Sequence, residues 1–229
     1  MPATEPESFS EAERESLYRV MRARRDMRHF RPNSTVDEAV LLRILSAAHM
    51  APSVGLMQPW RFIRITDVAL RERIHALVDA ERHLTAQALG VRDAEFMRLK
   101  VEGIRDCAEL WVAALMDRRE EHIFGRRTLP EMDLASVACA IQNLWLASRA
   151  EGLGMGWVSL FDPEKLAALL GIPEGGKPVA ILCLGQVDEF YPAPMLQLEG
   201  WRNPQLLDEM LFENSWGCQT LLPPGEGKG

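Results

Sequence analysis

Residues 132–161 read MDLASVACAIQNLWLASRAEGLGMGWVSLF. Leu134, Val137, Ala138, Ile141, Leu144 and Trp145 wrap most of a helical circumference, which predicts a strong, largely buried helix over 132–151. Gly152 stops it. Gly154 and Gly156 then alternate through the passage that follows. Without a Cβ there, the chain can turn tightly from helix to strand or lie close against a ligand. Gly156 to Leu160 reads as a strand. Downstream, Asp162 caps a helix with Pro163 at its first position and Gly171 at its end. Val179–Leu184 is a further buried strand.

Upstream, Ser10 and Glu13 form a capping box that opens a helix near Glu11, ending near Arg25. Thr35 with Glu38 forms a second, and Pro52 stops the helix it opens. Trp60–Ile65 and Leu110–Met116 have strand character. Helices are expected over about 70–82 and 94–105, with 82–93 less regular between them. Residues 118–130, polar and charged, read as a mobile loop. Helices and strands mingle without strict βαβ alternation, and neither G-x-G-x-x-G nor G-x-x-x-x-G-K-[ST] occurs. The expected class is therefore α+β: a mixed central sheet packed by helices, one domain over 11–229 after a flexible 1–10. Beyond Asp188 the tail carries Pro192, Pro194, Trp201, Phe212 and Trp216, too aromatic to be solvated and suited to packing on a second subunit.

The 229 residues are 47% hydrophobic and 26% charged, which are ordinary globular values. A net charge of −7 argues against nucleic acid as a partner, since that role needs a broad basic face. No apolar run approaches the roughly 20 residues that span a bilayer, so no membrane partner is expected. The polar, acidic start lacks the features of a signal peptide. Four dispersed cysteines fit a reducing compartment, and a cytoplasmic protein is the default. The five histidines have no ligand spacing, so no metal site is expected.

Three places can carry chemistry. Arg22, Arg24, Arg25, Arg28 and Arg31 fall within ten residues of an acidic chain, at a helix end. They suit either a solvated charged face or a phosphate clamp, because arginine grips phosphate through two parallel bonds. Asp26 sits among them, where cations should lower its pKa; its role is either a structural ion pair or a separate chemical task. The loop Ala51–Trp60 offers Ser53 and Gln58 as hydrogen-bonding groups, and a plain turn explains it equally well. Ser159 lacks a G-x-S-x-G frame, so a hydrolase nucleophile is not expected, though a hydrogen-bond donor is.

RRDMRHF (24–30) followed by AAHMAPSVGLMQPWRF (47–62) resembles the opening of nitroreductase-family proteins. RLKVEGIR (98–105), the 132–161 segment, LLGIPEG (169–175), VAILCLGQVDEF (179–190) and GWRNPQLLDEMLFENSWG (200–217) narrow it to the flavin-fragmenting branch, the 5,6-dimethylbenzimidazole synthases. The likeness spans nearly the whole chain after about residue 10. It implies a nitroreductase-like fold with a C-terminal extension on the partner of a homodimer. Arg24, Arg25, Asp26, Met27, Arg28, Ser53, Leu99 and Ser159 would contact FMN, and Asp26 and Ser159 would be catalytic. The substrates implied are FMNH2, which is both cofactor and substrate, and O2. A separate flavin reductase is one reductant, and direct NAD(P)H use is another. Ordinary nitroreductases usually have serine or threonine after the Arg-Arg pair, so a carboxylate at position 26 points to fragmentation. Asp26 would take a proton from the ribityl carbon attached to the ring, and Ser159 would donate a hydrogen bond to the isoalloxazine or to oxygen bound to it. Residues 80–93 depart from the family pattern, with Gln87 where methionine is expected. The competing functions are an NAD(P)H-dependent nitro- or quinone reductase with retained FMN, and a flavin-binding module without turnover.

Overall fold

A computed structural model of the chain describes residues 8–219. Its contacts divide the chain into two units, one through Tyr191 and one from Pro192. The expected flexible 1–10 lies mostly outside the described residues; Ser10, which is described, is already the N-cap of the first helix.

The first unit is a four-stranded sheet covered on both faces by helices. Its strands are β1 (Trp60–Ile65), β2 (Glu109–Leu115), β3 (Gly154–Val158) and β4 (Lys177–Gly185), in the order β1-β2-β4-β3. All three pairings are antiparallel. The parallel component of the expected mixed sheet is confined to one bridge, between Asp26 and Met155. Strand side chains alternate between faces, and the sequence obeys this. Trp60, Ala113, Leu115, Met155, Ala180, Leu182 and Leu184 enter the core shared with α2 (Glu38–His49) and α5 (Met132–Ala150). Ile65, Leu110, Val112, Val158, Ile181 and Cys183 enter a second core, shared with α3 (Val68–Leu89) and α6 (Pro163–Leu170). Because both faces are buried, β4 reads as a continuous apolar run.

The caps explain the boundaries. α1 (Glu11–Ala23) opens on the Ser10–Glu13 capping box, as its sequence predicts. α2 opens on Asp37, whose carboxylate accepts from Ala39 and Val40, and not on Thr35; an aspartate two positions nearer the helix supplies the better-placed acceptor. Helix α3 is longer than expected at both ends. Asp67 caps its start, and it runs on to Leu89, so most of the irregular 82–93 stretch is helical. The next helix, α4 (Asp93–Arg98), is correspondingly short.

The second unit contains α7 (Met195–Leu198), a single helical turn at Asp208–Met210, and an antiparallel bridge between Phe212 and Gln219. The Phe212 and Trp216 rings lie 5.2 Å apart.

Candidate active site

The chain leaves α1 at Arg24 in an extended conformation and runs beside β3. The Met27 amide donates to the Met155 carbonyl at 2.9 Å. In an extended segment alternate side chains share a side. Met27 therefore points into the core, wholly buried, while Asp26 and Arg28 meet opposite it. Met27 anchors the run through its amide and core packing.

Gly154 and Gly156 admit this run. A Cβ on Gly156 would lie 2.3 Å from the Met27 carbonyl oxygen and 2.7 Å from Arg28 Nη1, and one on Gly154 would lie 2.5 Å from Val187. Of the two uses that alternating glycines allow, close approach is the one realised, and what approaches is the chain's own arginine run.

Asp26 is held at both oxygens. Arg28 Nη2 donates to Oδ2 at 2.5 Å and to the Trp157 carbonyl at 2.9 Å, and the Trp157 amide donates to Oδ1 at 3.0 Å. The Arg28 side chain is 9% exposed and that of Asp26 40%. An ionised carboxylate has about four acceptor positions, so the open edge of Asp26 keeps free lone pairs. The burial of its carboxyl group pushes the pKa up, against the pull of Arg28, the Trp157 amide and Arg24. This corrects the sequence-based expectation of a lowered pKa. Counting cations missed the desolvation imposed where the run presses on β3.

A cluster of cations surrounds this pair. The Arg24 guanidinium lies 4.5 Å from the centre of the Trp145 ring, and Trp145 Nε1 donates to the Arg25 carbonyl. Arg149 donates to the Ala23 carbonyl at 3.1 Å and stacks 3.7 Å from the Phe190 ring centre. Burial lowers the pKa of both Arg24 and Arg149. Arg25 pushes both down further, and Arg19 adds to the effect on Arg149. Four like charges thus converge where α1 ends against α5, a donor set that fits a phosphate. Arg28 differs: its Nη2 is taken by Asp26 and the Trp157 carbonyl, while its Nε and Nη1 are buried with no partner.

The remaining sequence candidates lie apart. Ser159 is exposed just past the end of β3, two residues beyond Trp157. Ser53 Oγ accepts from the Gln58 amide at 3.0 Å. The next amide, Val54, donates to Ser136 Oγ, tying this loop to the start of α5. From Ser136 to Trp145 is about 13 Å along the helix, so Ser53 and the arginine cluster occupy opposite ends of α5. Leu99 is buried, and its carbonyl accepts from Arg82. No hydrogen bond, ion pair or ring contact among the described residues joins Ser53 or Leu99 to Asp26.

The segment expected to be a mobile loop is instead anchored. Arg119 and Arg126 both donate to Asp133 Oδ2, at 2.8 and 3.0 Å, and the Leu134 amide donates to Oδ1. Its charges look solvent-seeking in sequence, and most are exposed, but Arg119 and Arg126 turn inward. Trp145, Trp157 and Arg149 were not among the site candidates. The first two carry ordinary core periodicity, and the third is one arginine among many.

A family model described as the Nitroreductase family matches residues 21–186. A 5,6-dimethylbenzimidazole synthase from Rhodospirillum rubrum is 40% identical over 201 residues, covering 85% of this chain and 93% of that protein. One from Rhodobacter capsulatus is 41% identical over 198 residues, covering 85% of this chain and 95% of that protein. Among solved structures, a BluB-like flavoprotein from Clostridium difficile 630 superposes with a TM-score of 0.67 at 18% identity, over 87% of this chain and 99% of that one, a likeness of fold. The family match spans both the arginine run and β3, and the identity to the synthases extends over most of the chain. The chain belongs to the nitroreductase family, on its 5,6-dimethylbenzimidazole synthase branch.

Proposed function

We propose that this protein is a 5,6-dimethylbenzimidazole synthase, an oxidoreductase that uses O2 to break reduced FMN into 5,6-dimethylbenzimidazole and erythrose 4-phosphate, for the lower ligand of vitamin B12. The observation that carries this reading is Asp26, a carboxylate pinned at both oxygens, raised in pKa and open along one edge within an anion-seeking arginine cluster.

Arg24 and Arg25 would hold the FMN phosphate, with Arg149 behind them. Reduced flavin, when bound, supplies the electrons that reduce O2. Asp26 would accept the proton from the ribityl carbon attached to the ring. A raised pKa makes the ionised carboxylate a stronger base than an exposed one. Arg28 and the Trp157 amide fix its angle, so the free lone pairs face outward and little reorganisation is needed. Ser159 would donate a hydrogen bond to the ring system. The reductant is a separate flavin reductase or NAD(P)H acting directly, and the reaction runs in the cytoplasm.

We place the reaction in a homodimer, with the C-terminal tail packed on the partner. α1 buries none of its residues and exposes Leu17, Tyr18 and Met21, an apolar surface suited to a second subunit. A monomer by light scattering at micromolar concentration would count heavily against this.

The decisive test incubates the purified protein with reduced FMN in air and analyses the products. Benzimidazole is expected. Quantitative recovery of intact FMN overturns the reading, and fast NAD(P)H oxidation with retained flavin would mark a reductase instead. Asp26→Asn should abolish product while leaving flavin binding largely intact.

A further inference from the structure

Phe190 and Tyr191 brace the two ends of the arginine run. At its start, Phe190 stacks on Arg149, which holds the Ala23 carbonyl. At its end, the Tyr191 hydroxyl accepts from the Arg28 amide at 3.2 Å and from the His29 amide at 3.3 Å. It also lies 2.6 Å from His29 Nδ1. The chain is next tied at Arg31, whose amide donates to the Gln186 carbonyl. Between Met27 and Arg31, then, the main-chain hydrogen bonds made among the described residues converge on a single oxygen, from a residue 163 positions away from Arg28.

The proton count at that oxygen fixes its orientation. A phenol has one O–H and two lone pairs. With both lone pairs taken by the amides of Arg28 and His29, the O–H must donate to His29 Nδ1, and the ring proton of neutral His29 sits on Nε2. The exposed His29 ring, set edge-on to Tyr191, is thus the acceptor that aims the hydroxyl.

We propose that Tyr191 is a positioning residue for the Arg28–Asp26 pair, its hydroxyl setting the main chain from which Arg28 reaches the carboxylate, with His29 holding that hydroxyl in place. The inference rests on the reading of Asp26 as proton acceptor. Arg28 Nη2 also serves the Trp157 carbonyl, so a small shift of the Arg28 backbone trades one contact against the other. Among the described residues no hydrogen bond or ion pair joins Tyr191 to Asp26, so its hydroxyl acts through Arg28.

The test compares wild type with Tyr191→Phe, which keeps the ring and removes the hydroxyl. Two readouts separate this inference from the function it rests on. The first is a carbon-13 titration of the Asp26 carboxyl in flavin-free protein, assigned by its loss in Asp26→Asn. The second is the pH profile of benzimidazole formation from reduced FMN. An opposite charge in close contact moves a carboxyl by about 1–3 pH units, and partial loss of that pull should raise Asp26 by about half a unit or more. The acid limb of the rate should move with it, and kcat near neutrality should fall about three- to tenfold while KM for reduced FMN changes less than about twofold. An unmoved Asp26 titration overturns the inference, and so does a variant whose only defect is a lower Tm. Should wild type make no benzimidazole, the function fails and the titration still decides the positioning role. If Tyr191→Phe does not fold, His29→Phe removes the hydroxyl's acceptor from an exposed site. It should shift Asp26 in the same direction by less, and no shift there overturns the inference.

Discussion

Asp26 and Asp133 are both aspartates paired with arginine in the same unit, and they are opposite in what they leave free. The Asp133 side chain is 4% exposed, with one oxygen taken by the Leu134 amide and the other by Arg119 and Arg126. Asp26 has one arginine, one amide and an open edge. A carboxylate whose acceptor positions are filled and walled off can only fasten. One with open lone pairs beside a cluster of cations can react. The residue type does not decide the role; the number of unspent acceptor positions does.

The contrast is sharpest in paired variants. Asp26→Asn should lower benzimidazole formation about 10²–10⁴-fold, the usual worth of a positioned base, as read from product by chromatography. Asp133→Asn should do the reverse. It strands two inward-facing arginines and should cost about 3–5 kcal/mol in a denaturant melt, with turnover per folded molecule near wild type. A stable but inactive Asp133→Asn would break the comparison. Acid pH separates the two sites next. Burial raises Asp26, so its ionised form is lost as pH falls through a value above the ordinary carboxyl pKa of about 3.9. The acid limb of the rate should therefore lie above that value, and Asp133 variants should leave it in place. A limb at or below the ordinary value would count against Asp26 as the base. Ser159→Ala should cost about tenfold in kcat, the worth of one hydrogen bond. The smallest effect is expected from Arg119→Ala: with Arg126 still on Asp133, the loss should be about 1–2 kcal/mol of stability at unchanged turnover.

Much of this was legible in the residues. Helix α1, the four strands, and the stops at Gly152 and Gly171 follow from local signals, since caps and alternation act over a few positions. What could not be read were consequences of distant chain segments meeting. The pairing of Asp26 with an arginine was foreseeable from neighbours in sequence. Its raised pKa was not, because that depends on β3, some 130 residues on, packing against one side of the carboxyl group. Thr35 shows the opposite failure: a motif complete in sequence lost to Asp37, two positions closer to the helix it would have capped. The segment 118–130 is the exposed, irregular stretch its charge suggests, but the inward turn of two of its arginines depends on Asp133 and could not be read locally.

Gly156 carries a consequence for heredity. Any codon change that alters this residue adds at least a Cβ, and the space it would enter already holds the Met27 carbonyl oxygen and Arg28 Nη1. The carbonyl belongs to the backbone that seats Asp26 and cannot yield as the end of a flexible side chain would, and the guanidinium is buried and bonded to Asp26. Variation at other positions can tune this site by degrees. At 156 a lineage has no gradual path, and the seat of Asp26 can be retained there or lost, but not adjusted.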